Sequence, residues 1–143
     1  MESFTDHYNS LFATLRKRMP DADTTLIQQA VEYAQEKHKE QKRKDGSPYI
    51  IHPLAVAEIV VEMGLDVDAV LGALLHDCIE DTDASHDDIA RRFGETTAEL
   101  VEGVTKLTRA NFSSSEEQQM ENLRKMFMAM SKDIRVVLIK IAD

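Results

Sequence analysis

Apolar residues recur along this chain at helical spacing. Tyr8, Leu11, Phe12 and Leu15 fall at i, i+3, i+4 and i+7, and Leu26, Ile27, Ala30, Val31 and Ala34 repeat the pattern after a break at Pro20 and cap-type Asp and Thr residues at 21 to 25. Each predicts an amphipathic helix with one face on a core. A loop with Gly46 and Pro48 follows, and Pro53, directly after His52, is placed at a first helical position that starts a helix through Met63, closed by Gly64. The next segment, near 67 to 80, is apolar on most sides and is predicted as one buried helix at the domain centre. Ser85 and Asp88 form a capping-box-like pair before a short helix ending near Phe93, with Gly94 as its stop. Leu100, Val101, Val104 and Leu107 mark another helix. Residues 110 to 115, ANFSSS, read as a loop whose serines cap a helix carrying Leu123, Met126, Phe127 and Met130. The methionines at 120, 126, 128 and 130 are expected as core filler, with Met128 off the main stripe. A last apolar run, IRVVLIKIAD, ends on Asp143. No strand pattern competes, so the fold class is all-α.

At 143 residues the chain fits a single domain, residues 1 to 143, large enough for a real core. No segment approaches the roughly 20 apolar residues that span a bilayer, and MESFTDHYNS lacks the basic start and apolar stretch of a signal peptide. One cysteine, Cys78, permits no internal disulfide and suits a reducing compartment, with the cytoplasm as the default; it is expected as a small core residue. The chain is expected to be part of a longer protein, because natural domains seldom finish inside a buried apolar helix.

Charge narrows the partners. A formal net charge of −9 argues against a nucleic-acid surface, which needs many Lys and Arg. Residues 37 to 44, KHKEQKRK, nevertheless hold five Lys or Arg against one Glu, a local patch suited to a small polyanion.

The candidate chemistry sits where the central apolar run stops. LLHDCIED places His76 and Asp77 at the end of that run, with Glu80 and Asp81 four residues after each. Adjacent helical residues point about 100° apart, so His76 and Asp77 share no stripe, yet both can reach one ion at a helix end. That end carries partial negative charge, which favours a cation. His52, before a helix-starting proline, and Asp143, ending a second apolar run, can each be brought inward by their own elements. Two imidazoles and two carboxylates suit Mn²⁺, Fe²⁺ or Zn²⁺, and the absence of thiolates argues against a structural zinc site. Such an ion lowers the pKa of bound water toward ~7. A simpler reading, with His76 as a helix cap and the acids as a solvated face, stays open at this point. His7, His38 and His86 have no partner in any motif and are expected at the surface, and Glu102 with Lys106 is expected as an i, i+4 helix pair.

RKDGSPYIIHP, LLHDCIEDT, EGVTKL and ENLRKMFMAMSKDIRVVLIKIAD, in this order and spacing, resemble the N-terminal hydrolase domain of the RelA/SpoT family, within the HD-domain metal phosphohydrolases. The resemblance runs from about residue 26 to the end. It implies a helical bundle of the HD type and removal of the 3′-pyrophosphate from ppGpp and pppGpp, giving GDP or GTP and pyrophosphate, usually with Mn²⁺, as part of stringent-response alarmone turnover. It implies His52, His76, Asp77 and Asp143 as metal ligands and Glu80 and Asp81 as the catalytic acidic pair. Arg43 and Lys44 match the basic pair beside the nucleotide, where Arg43 could stack on guanine and Lys44 meet phosphate. Tyr49 is placed either against the nucleotide or in half-buried packing. The implied partners are a guanine nucleotide and downstream synthetase and regulatory domains, with no nucleic acid and no membrane. The family continues past the last Asp with an RLHNMRT-like stretch that this chain does not carry. Two alternatives stay open: a free-standing HD phosphohydrolase acting on another nucleotide, and a non-catalytic, metal-stabilised module that regulates an attached domain. Intact Glu80 and Asp81 argue against the last, since a structural ion needs neither.

Overall fold

In the computed structural model, which describes residues 3–108 and 116–143, nine helices are found among the described residues. They are α1 (Phe4–Arg18), α2 (Thr24–Lys37), α3 (Ile51–Glu62), α4 (Val67–Leu75), α5 (Cys78–Asp81), α6 (His86–Phe93), α7 (Glu95–Thr108), α8 (Glu116–Lys132) and α9 (Ile134–Ala142). Pairing of the extended kind is limited, among those residues, to a single bridge between Lys42 and Pro48. Among the described residues, no helix is long and apolar enough to cross a membrane.

Asp66 starts the central helix by accepting the Ala69 N–H on its carboxylate at 3.1 Å. From Ala69 to Leu75 every residue of α4 is buried, as its all-round apolar sequence requires. The helix is wrapped by α2, α3, α7 and α9, while α1 lies on α3. Two glycines set how closely these rods approach. A Cβ on Gly72 would lie 3.3 Å from Ile139 Cδ1, and one on Gly103 only 2.8 Å from Val136 Cγ2, so α9 seats against α4 and α7 where side chains are missing. Full burial of each Leu, Ile or Val contributes roughly 1.5–3 kcal/mol, and this apolar contact is what holds the C-terminal helix in place.

The observed elements differ from the predicted ones at several points. The helix expected near 67 to 80 is two helices: the His76 ring bonds back to the Ala73 carbonyl at 2.6 Å, and Asp77, at φ −96°, ψ −3°, sits at the edge of the helical region toward the bridge conformation. Helix α3 starts at Ile51, so Pro53 is its third residue, still within the first turn where a missing N–H costs nothing. Ser85 Oγ accepts the Asp88 N–H at 3.1 Å as expected, but the Asp88 carboxylate takes the Tyr33 hydroxyl at 2.7 Å instead of returning to Ser85. The reciprocal capping box occurs at α1, between Ser3 and Asp6.

On α8 the inward stripe is Asn122, Met126 and Ala129, an i, i+4, i+7 face. Met120, Leu123, Phe127, Met128 and Met130 are exposed, which corrects their assignment to the core apart from Met126. Glu102 lies 4.0 Å from His86 and forms no pair with Lys106 among the described residues. The expectation that Ser113 to Ser115 cap α8 falls on residues 109–115, outside the described residues.

Candidate metal centre and active site

Three helices deliver four side chains to one point. His52 comes from the first turn of α3, His76 and Asp77 from the break between α4 and α5, and Asp143 from the C-cap of α9. One ligand atom from each lies within 4.8 Å of all the others. His76 Nε2 is 3.0 Å from Asp77 Oδ2 and 3.2 Å from Asp143 Oδ1, and His52 Nε2 is 2.5 Å from Asp143 Oδ1 and 4.0 Å from Asp77 Oδ2. The break after Leu75 makes this possible: it turns His76 and Asp77, which a continuous helix would splay, toward the same point.

Three of the four candidate ligands are held by a further hydrogen bond. The His76 Nδ1–H donates to the Ala73 carbonyl, which leaves Nε2 aimed at the cluster. The Tyr49 hydroxyl donates to Asp77 Oδ2, so the structure places Tyr49 behind a candidate ligand, half-buried between the rings of His38 and His52 at 4.7 and 5.9 Å. Lys140 reaches Asp143 Oδ2 at 3.3 Å.

The electrostatics are those of cations and anions packed together. Burial alone would lower the pKa of His76, but bonds to Asp143 and Asp77 raise it to about 10. Asp143 is held well below the usual carboxylate range, first by its bond to His52 and then by that to His76. Burial opposes ionisation of Asp77, yet His76 and Tyr49 bring its pKa down. Burial beside Asp77 pushes the Tyr49 phenol up. With two imidazole nitrogens and two carboxylates facing inward, and with His76 Nδ1 held by the Ala73 carbonyl so that Nε2 faces the cluster, the donor set fits a divalent cation of the first transition row.

The remaining predicted site residues lie outside this cluster, on α5 and on the segment between α2 and α3. Glu80 is exposed on α5, with no hydrogen bond or ion pair among the described residues. Asp81 follows it; burial and then the neighbouring Asp77 raise its pKa, and the Tyr49 hydroxyl is within its reach. Arg43 and Lys44 stand exposed on a tight hairpin whose Arg43 N–H bonds the Ser47 carbonyl at 2.9 Å and which turns at Gly46 with φ +88°. Arg43 lies close enough to Asp45 to help lower the pKa of that carboxyl, behind the hydrogen bonds from Ser47. The hairpin is joined to the cluster through Tyr49, whose backbone N–H bonds the Gln41 carbonyl at 3.1 Å.

Two residues here escaped sequence reading. His38, expected at the surface, is only 2% exposed, C-caps α2, and has Nδ1 2.9 Å from Gln41 Oε1 and Nε2 3.7 Å from Cys78 Sγ. Burial lowers its pKa, so the ring is neutral. Its signal was position: His38 continues the buried stripe Ile27, Ala30, Val31, Ala34 at i+4. Gln41 donates from Nε2 to the Asp81 carbonyl at 2.8 Å. Cys78 is fully buried, as expected, and burial pushes its thiol up to about 12, so it is no nucleophile.

A helical bundle with a His, His-Asp, Asp constellation at the end of its central helix presents a candidate divalent-metal site. The sequence profile described as HD domain matches residues 30–143, and the chain belongs to that family. It is 48% identical over 136 residues to the bifunctional (p)ppGpp synthase/hydrolase SpoT of Escherichia coli K12, a match covering 95% of this chain and 19% of that protein. It is 52% identical over 117 residues to the guanosine-3′,5′-bis(diphosphate) 3′-pyrophosphohydrolase of Aquifex aeolicus, covering 82% of this chain and 16% of that protein. A solved metazoan ortholog of SpoT, described as hydrolysing ppGpp and playing a role in starvation responses, superposes with a TM-score of 0.63 at 31% identity, over 85% of this chain and 67% of that one. The chain spans less than a fifth of the length of the curated relatives it matches.

Proposed function

We propose that this chain is the hydrolase part of a RelA/SpoT-type protein and removes the 3′-pyrophosphate of ppGpp and pppGpp, releasing GDP or GTP. The observation that carries the reading is the convergence of His52, His76, Asp77 and Asp143 within 4.8 Å, with the exposed Glu80 three residues after Asp77 and a basic hairpin tied to the cluster through Tyr49, in a chain about half identical to proteins named for that reaction. His52, His76, Asp77 and Asp143 would hold the ion, and Mn²⁺ is the metal we assign. When bound, a divalent cation lowers the pKa of water and screens charge on phosphoryl oxygens.

The protein's own groups do the rest. Arg43 stacks on the guanine and Lys44 holds phosphate, which leaves the 3′-phosphorus over the cluster. Water attacks that phosphorus in line with the ribose 3′-oxygen; Glu80 and Asp81 orient the water, take its proton and supply one to the departing 3′-oxygen. The bond broken is the one between the 3′-oxygen and its phosphorus, so the products are the nucleoside 5′-diphosphate or triphosphate and pyrophosphate. Tyr49 keeps Asp77 turned inward. The larger size and bifunctional name of the E. coli relative support a synthetase domain elsewhere in the full-length protein.

The test is product analysis. Incubated with ppGpp and Mn²⁺, the chain is expected to release GDP and pyrophosphate in equal amounts. Release of inorganic phosphate instead, or cleavage at the 5′ side, would show that the reading of the reaction is wrong.

A further inference from the structure

Helix α5 carries Glu80 but consists of four residues, Cys78–Asp81, and its N-cap residue Asp77 makes no capping bond. One turn of helix is unstable alone, so its orientation must come from contacts outside it. Three such contacts form a closed chain. The Cys78 thiol lies 3.7 Å from His38 Nε2; His38 Nδ1–H donates to Gln41 Oε1 at 2.9 Å; Gln41 Nε2 donates to the Asp81 carbonyl at 2.8 Å. Both ends of α5 are therefore held from the segment that follows α2. The same Gln41 starts the basic hairpin, its carbonyl accepting the Tyr49 N–H at 3.1 Å.

We propose that Gln41 is a positioning residue that locks the basic hairpin carrying Arg43 and Lys44 to the acidic turn carrying Glu80 and Asp81. This rests on the hydrolase reading above. The chemistry selects glutamine. One planar amide must accept from an imidazole N–H and donate to a carbonyl, and the flipped amide would set N–H against N–H and carbonyl against carbonyl. Glutamate has no donor for Asp81, and methionine, of similar shape, has neither group. Without the amide, His52, His76 and Asp143 keep their anchors at the ends of α3, α4 and α9 and Asp77 keeps its bond from the Tyr49 hydroxyl, but the acid and the substrate cations no longer keep one separation, and a displacement of about 1 Å is enough to cost ~10²-fold in rate.

The experiment compares Gln41→Met and Gln41→Glu with wild type. Mn²⁺ affinity by calorimetry is expected to stay within ~2-fold, while kcat on ppGpp falls by ~10- to 100-fold in both. Gln41→Glu keeps the acceptor for His38 and so tests the Asp81 bond if Gln41→Met folds poorly. Combining Gln41→Glu with Glu80→Gln is expected to be no slower than Glu80→Gln alone, because Gln41 acts through the acidic turn; losses that multiply would overturn the proposal. Loss of Mn²⁺ binding along with rate would also overturn it, since that is general unfolding of the site. If wild type itself fails to hydrolyse ppGpp, the functional reading fails separately, and hydrogen exchange decides on Gln41. The Asp81 and Thr82 amides should then exchange ~10-fold faster in Gln41→Glu with those of α4 unchanged, and equal protection would reject the clasp.

Discussion

The two halves of the site are built differently. The four candidate ligands come from the ends of α3, α4 and α9 and from the N-cap of α5, and their side chains are largely covered, that of His76 completely. The groups that would meet substrate and water, Arg43, Lys44 and Glu80, stand exposed on a hairpin and a single helical turn held by a few polar bonds. The candidate ligands are therefore tied to the core beneath them, while the hairpin and the single turn rest on few contacts. Rigid burial suits groups that must keep one geometry, and exposure suits groups that must admit and release a charged nucleotide.

The largest effect should come from the rigid half. Replacing His76 or Asp143 by Ala is expected to weaken Mn²⁺ binding by more than ~100-fold and to abolish turnover with it, measured by calorimetry and product release on the same samples. Retained metal affinity in either variant would remove that residue from the centre. On the other side, Glu80→Gln should leave metal affinity unchanged and lower kcat by ~10²- to 10⁴-fold. That separation sharpens the comparison, and near-normal turnover would take Glu80 out of proton transfer. Arg43→Ala is milder: KM for ppGpp is expected to rise ~10-fold with little change in kcat, as for lost ground-state binding. An unchanged KM would mean that the Arg43 guanidinium is only a solvated surface charge.

The smallest effect lies away from both halves and reads the scaffold alone. Asp88 accepts the Tyr33 hydroxyl, then bonds from Arg92 and Arg91, and its pKa falls to about 2. A carboxylate depressed in the folded state stabilises the fold above its ordinary pKa of ~3.9, and that contribution disappears as pH falls from about 4 toward about 2. Tyr33→Phe should shrink this acid-side loss, read as urea midpoints at pH 6, 4 and 2.5, without altering Mn²⁺ affinity at neutral pH. An unchanged acid limb would place the loss elsewhere.

Much of the candidate ligand cluster was legible in the sequence because each of its members marks an abrupt change of character. His52 precedes Pro53, His76 and Asp77 end the most apolar run, and Asp143 ends another. Periodicity likewise located most of the long helices. What stayed hidden depends on contacts between residues far apart in the chain. At the break after Leu75 a ring bonds back to its own helix at Ala73, which composition does not encode. His38 is buried only because Cys78 and Tyr49 close over it, and Gln41 matters only because Asp81, forty positions away, offers a carbonyl. On α8 two apolar stripes compete, and packing on α7 and α9 chose Met126 and Ala129 over Phe127 and Met130.

The most direct measurement is the rate of ppGpp hydrolysis as free Mn²⁺ is raised from a chelated baseline, paired with calorimetric Mn²⁺ binding to the same chain. One ion per chain, with half-maximal rate at the calorimetric dissociation constant and no turnover under chelation, is the predicted result. Turnover that persists in chelator, or metal binding that saturates with no release of pyrophosphate, would contradict a hydrolytic centre built on His52, His76, Asp77 and Asp143.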